Sequence, residues 1–304
     1  RVGQYYMSQL AGSYIPAVSS DEFRNLAQLD SRSLALAVSQ SGETYDTLSS
    51  LRYAQEQGAR TAAIVNVMGS SMARMVDHVI LQGSGPEICV VSTKAAFAQM
   101  AILYLLALEL ALKQRRMRTG ERDRLRDLLG ELPQIVEATL NERSGFVHTI
   151  ANRYQGVRSW LYLGRDIYYP TALEASLKMK EVTYLHAEGM SAGFLKHGTI
   201  AMIDKDINTV LLVPPPVDSE VYSLTISSAE EIKARDGLII ALRFEDDSPR
   251  EGLFDEEVIL PSVPPPIAPF LHLLAAQLLA YFTAVALRRD PDKPRSLAKS
   301  VTVE

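Results

Sequence analysis

At 304 residues the chain is longer than one hydrophobic core comfortably serves, so two lobes are expected. Hydrophobic residues at 47% and charged residues at 22% exclude a disordered or collagen-like chain. A net charge of -5 argues against nucleic acid as a general partner, because non-specific binding there rests on neutralising phosphates with Lys and Arg.

In chain order, strand-like and helical stretches alternate. Residues 34–38 read as a strand, a helix runs from near Thr44 through 57, and 61–67 and 79–81 read as further strands before an apolar helix at 95–112. Residues 121–154 read as mostly charged helix, with Pro133 at a first-turn position and Gly145 as a break. That break puts the boundary between lobes near residue 145, with lobes at 1–145 and 146–304. The second half repeats the alternation with strands at 160–163, 209–213 and 238–244 and helices at 171–187 and 219–234. Helical crossovers must lie on the sheet faces, so the pattern predicts an α/β protein of two tandem doubly wound three-layer (αβα) domains with parallel sheets. Residues 267–287 are apolar and long enough to span a bilayer. Pro264, Pro265, Pro266 and Pro269 crowd one end and no second strong span accompanies it, so a helix buried between sheets or subunits is expected, with no membrane partner. The single cysteine, Cys89, allows no intrachain disulfide and fits a reducing, cytoplasmic setting and a small core position.

Ser39-Gln40-Ser41-Gly42-Glu43-Thr44 lies between the first strand and its helix. In open parallel sheets ligands sit beyond the carboxyl ends of the strands, and the first N–H groups of a helix favour an anion there. Ser39, Ser41 and Thr44 add hydroxyls, Gln40 an amide and Gly42 a close backbone approach. Ser92 and Thr93, before the helix at 95–112, offer a second set at the same edge. Taken alone, ordinary N-capping is the plainer explanation of the first loop and at least as good an explanation of the second. Neither a P-loop nor a dinucleotide fingerprint is present, so a phosphate monoester fits better than a nucleotide.

Glu174, Lys178, Glu181, Leu185 and Glu188 recur at spacings of 4, 3, 4 and 3, one stripe of the helix at 171–187. A solvated face with an i,i+4 ion pair is the plainer explanation of such a stripe. Residues 187–199 then read as a loop with glycines, Lys196 and His197. Carboxylate, ammonium and imidazole together can move protons beside a sugar carbonyl, open a hemiacetal ring or form an imine. His186 reads as a hydrogen-bonded core residue at the apolar end of the helix. His78, His148 and His272 have no neighbouring constellation. No His, Cys and carboxylate group has metal spacing, so neither a metal nor a cofactor is expected.

The motifs around these residues occur in a recognisable order. Ser39 to Thr44, Val90-Val91-Ser92-Thr93-Lys94, Leu177-Lys178-Met179-Lys180-Glu181, His186-Ala187-Glu188, Leu195-Lys196-His197-Gly198 and the ending Pro294 to Glu304 make the whole chain resemble the isomerase portion of the glucosamine-6-phosphate synthase family, the glutamine:fructose-6-phosphate aminotransferases. The resemblance implies two sugar-isomerase (SIS) domains and fructose 6-phosphate or glucosamine 6-phosphate as ligand. It implies that Ser39, Gln40, Ser41 and Thr44 hold the phosphate, with Val90, Ser92 and Ala298 lining the pocket. By the same resemblance Glu181 shuttles a proton between C1 and C2, Lys178 assists, and Lys299 forms an imine with the open-chain ketose. His197 opens the ring from a neighbouring subunit, so a homodimer is implied. Family members carry a strand and a Gly-Thr-Ser loop before the segment that Arg1 to Tyr6 resembles, and this sequence begins after it. Phe194 stands where Glu is usual and Thr199 where Pro is usual. A glutaminase domain with its nucleophilic cysteine is absent from the sequence, so ammonia would come from a missing or separate glutaminase. A SIS-type glucosamine-6-phosphate deaminase and a non-catalytic sugar-phosphate-binding module are the alternatives.

Overall fold

The computed structural model describes residues 1–89 and 91–295. The first half comprises α1 (Val2–Ala11), α2 (Ser20–Leu26), β1 (Leu34–Ser39), α3 (Tyr45–Glu56), β2 (Arg60–Val65), α4 (Ser71–Met75), β3 (His78–Leu81), α5 (Thr93–Lys113) and α6 (Thr119–Tyr154). The second comprises β4 (Ser159–Gly164), α7 (Tyr168–Thr183), β5 (His186–Ser191), β6 (Ile207–Leu212), α8 (Ser219–Lys233), β7 (Leu238–Phe244), β8 (Glu256–Leu260) and α9 (Ala268–Ala286), with short 3-10 turns at Ala192–Phe194 and Thr199–Met202. Among the described residues two sheets form, ordered β1-β2-β3 and β5-β4-β6-β7-β8, and every strand pair in them is parallel. The α/β class with parallel sheets is therefore as expected.

The second sheet is covered on both faces, and its residues sort by parity as the pleat demands. Trp160, Tyr162, Val210, Leu212, Ile240 and Leu242 join α7 and α9 in one core. Leu161, Leu163, Leu211, Ile239 and Ala241 pack with Tyr222, Ile226 and Ala229 of α8. The first sheet is thinner. Ala63 and Val65 pack on Leu48 and Leu51 of α3 and Met72 of α4, while Leu34, Leu36 and Val38 of β1 remain exposed. The two halves are joined through helices. Residues of α1, α5, α6, α7 and α9 share the largest core, with Tyr6 edge-on to Tyr104 at 5.2 Å and Phe97 against Phe270 at 5.8 Å. A fully buried Phe or Leu in such a core contributes roughly 1.5–3 kcal/mol.

Two elements differ from the sequence expectation. The helix expected at 171–187 stops at Thr183, where Tyr184 turns left-handed (φ 55°), and residues 186–191 form β5 paired in parallel with β4. Leu185 and Glu188 thus leave the helical stripe, and the loop expected at 187–199 begins as a strand. Strand pairing overrides the local helical period here. The break expected at Gly145 is absent, since α6 runs unbroken for 36 residues with Pro133 and Gly145 inside it. Its buried residues Leu125, Leu132, Val147, Ile150 and Ala151 belong to the shared core, and that tertiary packing outweighs the hydrogen bond Pro133 removes. Helices α5 and α9 are both long and apolar enough to cross a membrane by length and composition. Within the fold α9 is a core helix between α6 and α7, whereas α5 is buried mainly along Ala95, Met100, Tyr104, Ala107, Leu108 and Ala111.

Candidate active site

The loop after β1 is shaped by its own backbone. Gly42 sits at φ +68°, and a Cβ there would lie 2.2 Å from Ser70 Oγ, so only glycine fits. Ser39 Oγ accepts the Gly42 N–H at 3.0 Å and Ser41 Oγ accepts the Glu43 N–H at 3.2 Å, which folds the turn over the end of β1. Glu43 reaches back to accept the Ser71 N–H at 2.8 Å, and Ser71 holds its carboxylate below the usual range. Thr44 occupies the N-cap of α3 without a side-chain capping bond, so its hydroxyl is not spent on the helix. Gln40 and Ser41 are half-buried beside it.

A second loop leads into α5. Ser92 is the N-cap, held left-handed at φ 56°. Glu87, which the sequence did not single out, places Oε2 2.8 Å from the Ala95 N–H and so puts a carboxylate at the helix end where an anion was expected. Asn66 ties the two loops together. Its N–H donates to the Gln40 carbonyl at 3.1 Å, its Oδ1 accepts the Ser84 N–H at 3.1 Å, and its Nδ2 donates to the Gly85 carbonyl at 2.8 Å. The sequence reading did not single out Asn66; it follows β2 directly, so the strand-end rule is the signal that could have found it.

The charged stripe of α7 survives in its first three members, and it is not solvated. Lys178 is 5% exposed. Its Nζ lies 3.0 Å from Glu174 Oε1 and 3.1 Å from Glu181 Oε2, and it donates to the Val91 carbonyl, 87 residues away in sequence. Burial works against the Lys178 charge, but Glu174 and Glu181 outweigh it and the pKa rises above the ordinary lysine value. Burial raises Glu181 above the usual carboxylate range, with Lys178 pulling the other way. A half-buried carboxylate of raised pKa beside a fixed ammonium is suited to taking up and returning a proton. Because Val91 precedes Ser92, this contact brings the second loop and the charged stripe to one place.

The imidazoles lie elsewhere. His197 is exposed, its ring against Phe194 at 5.2 Å, and no hydrogen bond, ion pair or ring contact joins it to Lys178 or Glu181 within the chain. His186 is not a core residue on a helix, as expected from sequence, but the exposed first residue of β5. His272 is fully buried, with Nε2 3.1 Å from both the Val213 and Leu242 carbonyls, and burial lowers its pKa to about 4. Cys89 is half-buried, its thiol donating to the Pro291 carbonyl at 2.8 Å. Val90, Ala298 and Lys299 lie outside the described residues.

A family model described as SIS domain matches residues 1–109 and 155–287. The chain belongs to the SIS-domain family. Among SIS proteins, it is 44% identical over 304 residues to the glutamine--fructose-6-phosphate aminotransferase (isomerizing) of Methanococcus maripaludis, a match covering 100% of this chain and 48% of that protein. The enzyme of the same name from Thermus thermophilus is 42% identical over 303 residues, which are 99% of this chain and 50% of that protein. The chain thus spans about half the length of these relatives. A solved C-terminal domain of glucosamine-fructose-6-phosphate aminotransferase from Francisella tularensis superposes with a TM-score of 0.89 at 30% identity, covering 96% of this chain and 82% of that one. A glucosamine-6-phosphate deaminase from Thermotoga maritima shares the SIS fold at TM-score 0.75 and 20% identity, which speaks for the fold alone.

Proposed function

We propose that this chain is the sugar-phosphate isomerase portion of an isomerizing glutamine:fructose-6-phosphate aminotransferase. It converts fructose 6-phosphate to glucosamine 6-phosphate when ammonia is supplied and to glucose 6-phosphate otherwise, a cytoplasmic step of amino-sugar synthesis. The observation that carries this reading is the buried junction of Lys178 with Glu174, Glu181 and the Val91 carbonyl. Residues 1–145 form the lobe that grips the phosphate, through Ser39, Gln40, Ser41 and Thr44 with Val90 and Ser92, and residues 146–304 supply the chemistry with Ala298 at the pocket. The keto group at C2 condenses with the Lys299 amine and its oxygen leaves as water. Ammonia displaces the Lys299 amine from this imine and leaves its own nitrogen at C2, or water displaces it and restores the ketone. Glu181 then takes a proton from C1, giving an enaminol or enediol at C1–C2, and returns it to C2 as the C1 hydroxyl becomes the aldehyde, while Lys178 keeps the carboxylate in place through the charge change. When ammonia displaces Lys299 the C2 nitrogen is retained and the product is glucosamine 6-phosphate; when water does, it is glucose 6-phosphate. The exposure of His197, whose ring contacts Phe194, supports its donation from a second copy in a homodimer. The ammonia comes from a glutaminase outside these 304 residues.

Deuterium exchange at C1 of fructose 6-phosphate in heavy water, followed by NMR, tests the assignment. Glu181→Gln is expected to slow exchange by about 10²- to 10⁴-fold, the usual worth of a positioned general base. Exchange at the wild-type rate in that variant removes the mechanism. The deaminase reading has only the shared fold behind it, and glucosamine 6-phosphate offered without ammonia separates the two by product.

A further inference from the structure

Among the described residues, three helices of the first half follow a strand: α3 follows β1, α4 follows β2 and α5 follows β3. The head of each holds N–H groups with no partner in the helix and carries the positive end of the helix dipole, so each attracts an anion. The chain fills two of these heads itself. At α4, Glu43 accepts the Ser71 N–H at 2.8 Å and Ser70 Oγ accepts the Ala73 N–H at 3.3 Å. At α5, Glu87 Oε2 accepts the Ala95 N–H at 2.8 Å. The loop that carries Glu87 is fastened by Lys94, whose Nζ donates to the Pro86 carbonyl at 2.6 Å, and by Asn66, whose side chain bonds Ser84 and Gly85. Glu87 is half-buried, so water screens its charge less than that of an exposed acid. The head of α3 is different. Thr44 makes no capping bond there, and Asp46, the acid of that first turn, is exposed.

What adjoins each head also differs. Val91 is two residues before Thr93, the first residue of α5, and its carbonyl accepts Lys178 Nζ. The head of α5 therefore stands beside the ammonium that Glu174 and Glu181 flank. A phosphate monoester carries about −1.5 to −2 charge at pH 7. Helix dipole and ammonium together draw such a group to this place. A sugar phosphate seated that way has its phosphate where the reacting carbons belong.

We propose that Glu87 is a specificity-determining residue that sets the register of the substrate. Its carboxylate occupies the anion position at the head of α5, so the phosphate is confined to the turn at Ser39 to Thr44 and the head of α3, and the carbonyl end is left to Lys178 and Glu181. This inference rests on the reading of that turn as the phosphate holder given above. A charge that sets register and an ordinary cap differ kinetically. When phosphate binds at either head, one of the two bound forms is unreactive. That form lowers kcat and KM by the same factor and leaves kcat/KM unchanged, because kcat/KM compares the transition state with free enzyme and free substrate. A cap that only holds the loop in shape lowers kcat/KM when it is lost.

The test uses the full chain with Glu87→Gln, which keeps an oxygen for the Ala95 N–H and removes the charge, and Glu87→Asp, which keeps the charge. Deuterium exchange at C1 of fructose 6-phosphate gives kcat and KM, and titration calorimetry with inorganic phosphate counts the anions bound. Glu87→Gln is expected to lower kcat and KM together by about fivefold or more, with kcat/KM unchanged, and to bind a second phosphate that wild type does not. Glu87→Asp is expected to bind one phosphate and to keep KM within about twofold of wild type. Amide shifts in wild type on adding inorganic phosphate, followed by NMR, need no variant to fold. They are expected at residues 41–46 and not at 93–96. Unchanged kcat and KM in Glu87→Gln, a fall in kcat/KM without a second phosphate, or wild-type shifts at 93–96 overturns this inference alone. Absence of wild-type shifts at 41–46 overturns the phosphate reading of that turn, and this inference with it.

Discussion

Lys178 shows how a single buried charge organises a site. Its ammonium is surrounded by Glu174, Glu181 and the Val91 carbonyl, so each acceptor depends on it for a partner. Lys178→Met should destabilise the fold by about 2–4 kcal/mol in chemical denaturation, somewhat less than a wholly buried triad because Glu174 and Glu181 keep 33% and 20% side-chain exposure. His272 offers a pH-dependent counterpart. Burial holds it neutral down to about pH 4, against an unfolded value near 6.5, so the unfolded chain takes up the proton first. Its contribution to stability is fully present above pH 6.5 and is lost as the pH falls toward 4, at about 1.4 kcal/mol per unit, or roughly 3 kcal/mol in all. Unfolding free energies of wild type and His272→Gln measured between pH 7 and 4 should differ in slope by that amount, and parallel curves would remove the assignment. Spacing alone made Glu174, Lys178 and Glu181 legible, because i, i+4 and i+7 share a helix face whatever surrounds it. That the face was buried could not be read from spacing, since a solvated stripe has the same period. Glu87 and Tyr184 gave no sequence signal, because a carboxylate reaching across a loop to a helix end and a ring beside two arginines are defined by contacts that no short period carries.

At the scale of the element, the turn from β1 into α3 depends on one residue's freedom. Gly42 combines a positive φ with contact to Ser70, so Gly42→Ala must both strain the backbone and push Ser70 away. About 1–3 kcal/mol of strain is expected, and titration calorimetry with fructose 6-phosphate should show binding weakened by about tenfold or more, since 1.4 kcal/mol is a factor of ten. Gly58→Ala is the control: it has φ +78° but nothing within 4 Å of a new Cβ, so it carries the backbone cost and leaves binding unchanged. In the second sheet β8 went unread, and β4, β6 and β7 were legible as apolar runs, with boundaries within a few residues of those observed. β5 was not, because His186-Ala187-Glu188-Gly189-Met190-Ser191 has neither an apolar run nor alternation, and it becomes a strand by pairing with β4. Helix α6 erred in the opposite sense: Pro133 and Gly145 are local stop signals that the shared core overrules.

Across the whole molecule, stability is unevenly spread. The second sheet is packed on both faces, whereas β1 to β3 rest on small clusters and leave Leu34, Leu36 and Val38 exposed. Native-state hydrogen exchange should therefore find the amides of β1 to β3 opening at lower free energy than those of β4, β6 and β7. Equal protection in both sheets would contradict the packing. By itself the sequence determined the α/β alternation, two repeated halves, the hydroxyl-bearing turn at Ser39 to Thr44 and the charged face of α7, for these are set by periods and turn chemistry within a short stretch of chain. The tertiary structure alone decided that Val91 and Lys178 meet, that Tyr184 at the end of α7 lies against Arg289 and Arg295, and that the His197 ring rests on Phe194. The physical reason is that burial and partner choice belong to contacts between residues far apart in the chain, and no local period carries them.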